Sequence, residues 1–258
     1  MLFNSFDFLV FYPIVTLVYF MLAQRFRWAW LLAASCYFYM FFKPIYILIL
    51  AGTIVIDYFV GIGLEKTQGA KRKQLLVLSI IANVGILVVF KYYNFFVGNV
   101  NYLLDSMGAG HKLLFLNILL PIGLSFHTFQ AMSYTIEVYR GNRPAERHFG
   151  IYALYVMFYP QLVAGPIERP QNILFQFHEE RKFSEKNLSW GLKLMLWGLF
   201  KKVFVADRLA VYVSAAFSDY KNQSGSTLLM AAFFFSIQIL PASCLSVCAH
   251  VRPADAAS

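Results

Sequence analysis

Along this chain, long apolar runs alternate with short polar breaks. The runs lie at about 6–23, 28–42, 44–63, 75–97 and 113–137, each bounded by charge or by Gly and Pro. Each predicts a membrane-crossing helix. Run 28–42 is short, and Lys43-Pro44 separates it from the next, so those two are expected to form a tight hairpin. The following run, in "YALYVMFYPQLVAGPIERPQ", behaves differently. It breaks at Ala164-Gly165-Pro166 and turns charged soon after. A helix of about fifteen residues reaches only some 22 Å, short of a hydrocarbon core of roughly 30 Å. Pro160 and Gly165-Pro166 would also expose backbone groups, which is tolerated only where protein or a water-filled cavity covers them. Segment 149–166 therefore predicts a re-entrant or obliquely buried element entering from the cytoplasmic face, with a short tilted span as the alternative. A helix over 188–217 and an apolar run at 227–240 complete the pattern, with no internal repeat.

Composition sharpens this into a class. The 258 residues are 59% hydrophobic and 18% aromatic, and only 14% are charged, against roughly 25% charged in soluble domains. The pattern predicts an all-α, polytopic transmembrane helical bundle with a re-entrant segment. Residues 1–23 hold no basic residue before the apolar run, so the first span is expected to be retained rather than cleaved. The net charge of +9 sits in short breaks between spans, which favours orientation over nucleic-acid binding. Arg25 and Arg27 follow the first span, Lys66, Lys71, Arg72 and Lys73 the third, and Arg140, Arg143 and Arg147 the fifth. The break after the fourth span has only Lys112 and His111 against Asp105. That asymmetry places the N-terminus outside and the basic breaks in the cytoplasm. Cys36, Cys244 and Cys248 form no metal-ligand pattern and no disulfide framework, and no metal site is expected.

Candidate chemistry centres on the fifth span, "LLPIGLSFHTFQAMSYTIEVYRG". His127, Gln130, Tyr134 and Glu137 are spaced so that they share one helical face, and Gly123 continues it. Such a seam either lines a substrate passage or glues the bundle by interhelical hydrogen bonds. His127 as a catalytic base has no paired acid in view. Asp57 is a lone carboxylate in the third span, fit for an ion path or for pairing with a neighbouring helix. Lys91 is expected to snorkel from near one end of the fourth span. In "WGLFKKVFVADRLA", Lys201, Lys202 and Arg208 lie among apolar residues, as in a helix resting on anionic lipid or as a basic floor for the phosphates of an acyl donor. A nucleophile elbow, a Walker loop, HExxH and GxGxxG after a strand do not occur. These features leave a transporter or an intramembrane enzyme.

Three stretches in order, "LPIGLSFHTFQAMSYTIEVYRG", "FYPQLVAGPIERPQNILFQF" and "GLFKKVFVADRLA", resemble the membrane-bound O-acyltransferase family, in its branch of bacterial alginate O-acetyltransferases. The resemblance covers residues 1–239. It implies the N-terminal part of a helical fold around a tunnel, in a multi-pass protein of the bacterial inner membrane. Membrane lipids, an exported polysaccharide and extracytoplasmic acetyltransferases would be the partners, with no nucleic acid. An acyl donor such as acetyl-CoA would enter from the cytoplasm as substrate, with no bound cofactor. His127, Gln130, Tyr134 and Glu137 would line the cavity; Pro160, Gln161, Gly165, Pro166, Arg169, Lys201 and Lys202 would form the donor side. The family usually has an aromatic residue at position 127, so His127 is not its catalytic histidine. That histidine is expected beyond the chain's end, because after "FSIQI" the chain continues "LPASCLSVCAHVRPADAAS" where relatives have a Tyr-Cys-Asp-Phe-Ser-Gly type stretch. Residues 240–258, His250 included, read as an atypical tail such as a frameshift leaves, and this chain alone is expected to be inactive. A D-alanyl or lipid acyltransferase of the same superfamily and a flippase-like transporter are the alternatives.

Overall fold

The computed structural model describes residues 5–41, 44–108, 113–115, 123–162, 169–180 and 182–247, with side chains to residue 239. The described residues are helical, with no strand among them. Contacts divide them into two units.

The first unit contains α2 (Gln24–Met40), α3 (Tyr46–Lys66), α4 (Gly69–Ser106), α5 (Leu124–Arg140), α6 (Phe149–Met157), α7 (Tyr159–Leu162) and α8 (Pro170–His178). Helices α3, α4 and α5 pack mutually, while α2 lies along α6 and α7. Its core joins Tyr39, Leu50, Ile54, Leu64, Tyr134, Tyr152, Tyr155 and Leu174. The α6 segment is buried on every side from Gly150 to Met157, which suits a helix that is apolar all round. Close approach is built into it: a Cβ at Gly150 would fall 2.1 Å from the Trp28 ring.

The second unit contains α1 (Phe6–Met21), α9 (Glu185–Phe200), α10 (Asp207–Ser218) and α11 (Gly225–Val247). Between α9 and α10 the chain makes a π-helical turn, Lys201–Ala206. Such turns insert an extra residue into the helical ladder and recur at functional sites.

Helices α3 and α4 are long and apolar enough to cross a membrane, by length and composition. Helix α1 and Gly225–Ile239 are shorter apolar helices. Several boundaries differ from the sequence reading. Arg25 and Arg27 fall in the first turns of α2, and Lys71, Arg72 and Lys73 in those of α4, rather than in loops, because Lys and Arg are good helix formers. Helix α4 has 38 residues and so runs about 57 Å, well beyond one hydrocarbon thickness. Lys91 therefore sits in mid-helix, exposed, with its ammonium 5.5 Å from the Tyr92 ring. The run at 113–137 is not one helix: residues 113–115 are irregular and α5 starts at Leu124. Gly123 sets that start with φ +80°, in the left-handed region where a side chain is strained. The helix expected over 188–217 is interrupted by the π turn, and α11 continues through the boundary set at 239/240.

Candidate functional site

The site begins with a missing donor. In α6 the Val156 carbonyl would accept from the N–H of residue 160, but residue 160 is proline and has none. The helix stops at Met157, resumes for four residues as α7, and leaves carbonyls of α6 to other partners. The face of α5 supplies them. His127 Nδ1 lies 2.9 Å from the Val156 oxygen, and Gln130 Nε2 donates to the Tyr155 oxygen at 2.7 Å. The same amide donates to Gln161 Oε1 at 2.9 Å, tying α5 to α7 as well. On the other side of the break, the Tyr159 N–H donates to Ser35 Oγ of α2 at 3.2 Å. At the foot of α5, Gly123 meets α7 so closely that a Cβ would fall 2.2 Å from the Leu162 oxygen.

All four residues of the seam are buried, as their shared spacing requires. Further along it, the Tyr134 hydroxyl accepts from the Glu146 N–H at 2.8 Å. Glu137 accepts from Asn142 Nδ2 at 2.8 Å and from the Gln171 amide. The seam thus holds α6, α7, the 141–148 connection and the start of α8 by hydrogen bonds. Within that connection, Glu146 accepts from the His148 N–H at 3.0 Å and contacts His178 Nε2 at 3.0 Å. Arg143 donates to the Pro170 carbonyl. Burial draws the Arg143 guanidinium below its usual range, and the neighbouring Glu146 acts against that shift.

Asp57 belongs to a second polar node. Its carboxylate accepts from Ser79 Oγ at 2.5 Å and from Asn83 Nδ2 at 3.0 and 2.7 Å. Ser79 Oγ also reaches Thr135 Oγ1 at 3.3 Å, so the node joins α3, α4 and α5. Asp57 pairs with a neighbouring helix, through hydroxyl and amide donors.

Of the residues expected to receive a donor, Pro160 and Gln161 are buried in α7, and Arg169 is exposed at the N-cap of α8. Gly165, Pro166 and His250 lie outside the described residues. Lys201 and Lys202 open the π turn, with the Lys201 ammonium 5.2 Å from the Trp197 ring. Trp197, Phe200 and Phe204 stack in sequence there, at 5.5 and 4.8 Å. Among the described residues, no cluster of His, Cys, Asp and Glu is arranged to hold a metal ion. Ser35, Ser79 and Asn83 were not picked out from the sequence. A signal existed for two of them: Ser79 and Asn83 are one helical turn apart within an otherwise apolar stretch.

Fold and site together define a chain helical over its described residues, with helices long enough for a membrane, whose first unit is held together by hydrogen bonds from one polar helix face. Over 90% of its length it is 35% identical to a probable alginate O-acetylase, AlgI, of Pseudomonas aeruginosa, covering 45% of that protein. The corresponding protein of Pseudomonas syringae is 36% identical over the same shares. A peptidoglycan O-acetyltransferase of Helicobacter pylori is 33% identical over 93% of the chain and 51% of its own length. No family model matches the chain. The chain is thus similar to these O-acetyltransferases, the branch its three motifs resemble, and it spans about half the length of the curated relatives it matches.

Proposed function

We propose that the chain forms the N-terminal part, residues 1–239, of a membrane-bound O-acetyltransferase that esterifies hydroxyls of an exported polysaccharide. The observation that carries this is the similarity at 35% identity over nine-tenths of the chain to a probable alginate O-acetylase. The reaction breaks the acetyl–sulfur bond of a thioester such as acetyl-CoA and forms an acetyl–oxygen ester, with the hydroxyl proton passing to the released thiolate.

In this reading the chain is multi-pass in the bacterial inner membrane, with its N-terminus outside. Segment 149–166 enters from the cytoplasmic face and is held by α5. The break between two buried helices in its described part, at Phe158, supports that placement. His127, Gln130, Tyr134 and Glu137 form one wall of the passage. By the resemblance, Pro160, Gln161 and Arg169 in the first unit and, separately, Lys201 and Lys202 in the second are the described residues assigned to the donor, and the cations offer partners for its phosphates. By the family resemblance the general base is expected outside residues 1–239, so these residues by themselves are proposed to transfer no acetyl group. The acceptor follows the alginate relatives, and extracytoplasmic acetyltransferases as partners rest on the family resemblance. The Helicobacter pylori relative supports peptidoglycan as a second acceptor class.

The test joins residues 1–239 to the remaining C-terminal part of the Pseudomonas aeruginosa relative. Inside-out vesicles bearing the chimera, with alginate and the extracytoplasmic acetyltransferase partners enclosed, receive radiolabelled acetyl-CoA. Labelled ester is expected from the chimera and none from the chain alone. Label transferred by the chain alone, or none by a chimera shown to be inserted, overturns the reading.

A further inference from the structure

His127 and Tyr39 leave two polar atoms that the hydrogen bonding of the seam does not use. The Val156 carbonyl can only accept, so its 2.9 Å contact makes His127 Nδ1 the donor. With the hydrogen on Nδ1, the neutral ring presents Nε2 as a bare lone pair at its other end. That Nε2 is buried and has no hydrogen-bond partner among the described residues. The Tyr39 hydroxyl on α2 is in the same state. Both residues are only 3% exposed, and their rings meet edge to face with centroids 6.0 Å apart.

Two buried orphans in neighbouring rings are unfavourable singly and complementary together. Nε2 needs a donor, and the phenol needs at least an acceptor. A carbonyl cannot donate and an ammonium cannot accept; a hydroxyl does both with one oxygen. We propose that Tyr39 Oη and His127 Nε2 form a buried binding site for a single hydroxyl group, water or an alcohol, between α2 and α5. The ligand donates its hydrogen to Nε2 and accepts from Tyr39. The site stands apart from the acetyl-transfer reading: it follows from side-chain chemistry and would exist in a chain that transfers nothing.

The test is solid-state NMR on the whole chain in bilayers, with ¹⁵N-histidine. Carbonyl-¹³C histidine with ¹⁵N-threonine singles out His127, because the His-Thr pair occurs once in the sequence. The expected result is a neutral, Nδ1-protonated ring whose Nε2 resonance has the shift of a hydrogen-bonded lone pair and contacts an exchangeable proton. Tyr39→Phe should move Nε2 toward the free-lone-pair position. Deuterated 1-propanol then separates the sources. Replacement of the exchangeable-proton contact identifies a site open to alcohols, and persistence with a contact to ¹⁷O-labelled water identifies a resident water, whereas a contact to the Tyr39 hydroxyl proton itself, a direct Tyr39–His127 hydrogen bond, overturns the proposal. An Nε2 at the free-lone-pair position with no exchangeable-proton contact, unmoved by Tyr39→Phe, overturns the proposal.

Discussion

Pro160 removes one backbone donor, and the consequence is read in side chains on two other helices. His127 and Gln130 answer the carbonyls of Val156 and Tyr155, and Ser35 answers the Tyr159 N–H. Gln130→Leu leaves the Tyr155 carbonyl and Gln161 without that amide, and should lower stability by about 1 kcal/mol. Denaturant unfolding in detergent measures it. Pro160→Ala restores the N–H that Val156 lacks, so His127→Phe should cost less in the Pro160→Ala background than alone. A double-mutant cycle should show coupling of roughly 0.5–3 kcal/mol, and additive effects would contradict the pairing. Gly123→Ala meets both a positive φ and the Leu162 carbonyl. It should destabilise by about 1–3 kcal/mol, read from the same unfolding curves.

At the scale of elements, periodicity revealed that His127, Gln130, Tyr134 and Glu137 share a face, because helical spacing is a local property. What that face meets was not legible, since it depends on where α6, α7 and α8 pack. The start of α5 was hidden for a related reason: apolar composition runs through 113–137, and only the backbone angle at Gly123 marks the boundary. The π turn at Lys201–Ala206 has no signal in hydrophobic spacing, because one extra residue merely shifts the register of the following helix. Charge misled in one respect. Arg25, Arg27, Lys71, Arg72 and Lys73 extend helices rather than loops, although they still mark helix ends. The break in the run at 149–166 is a local matter of length and proline, and over its described residues, 149–162, the structure has two short buried helices.

Across the whole molecule, α3 and α4 meet the length and composition of membrane spans, and the relatives are O-acetyltransferases. The orientation in the proposed function makes its own prediction. Single cysteines in a background without Cys36, Cys244 and Cys248 should react with a membrane-impermeant maleimide from outside when placed at Ser106. At Asn142 they should react only after permeabilisation. The reverse pattern would invert the topology and with it the side from which the donor enters. Function itself is tested most directly in cells lacking their alginate O-acetylase, by measuring O-acetyl esters on secreted alginate. The account predicts that residues 1–239 joined to the C-terminal part of the Pseudomonas aeruginosa relative restore the esters, while the chain by itself does not. Unacetylated alginate from cells whose chimera is stable and membrane-inserted, with the intact relative active in parallel, would contradict it.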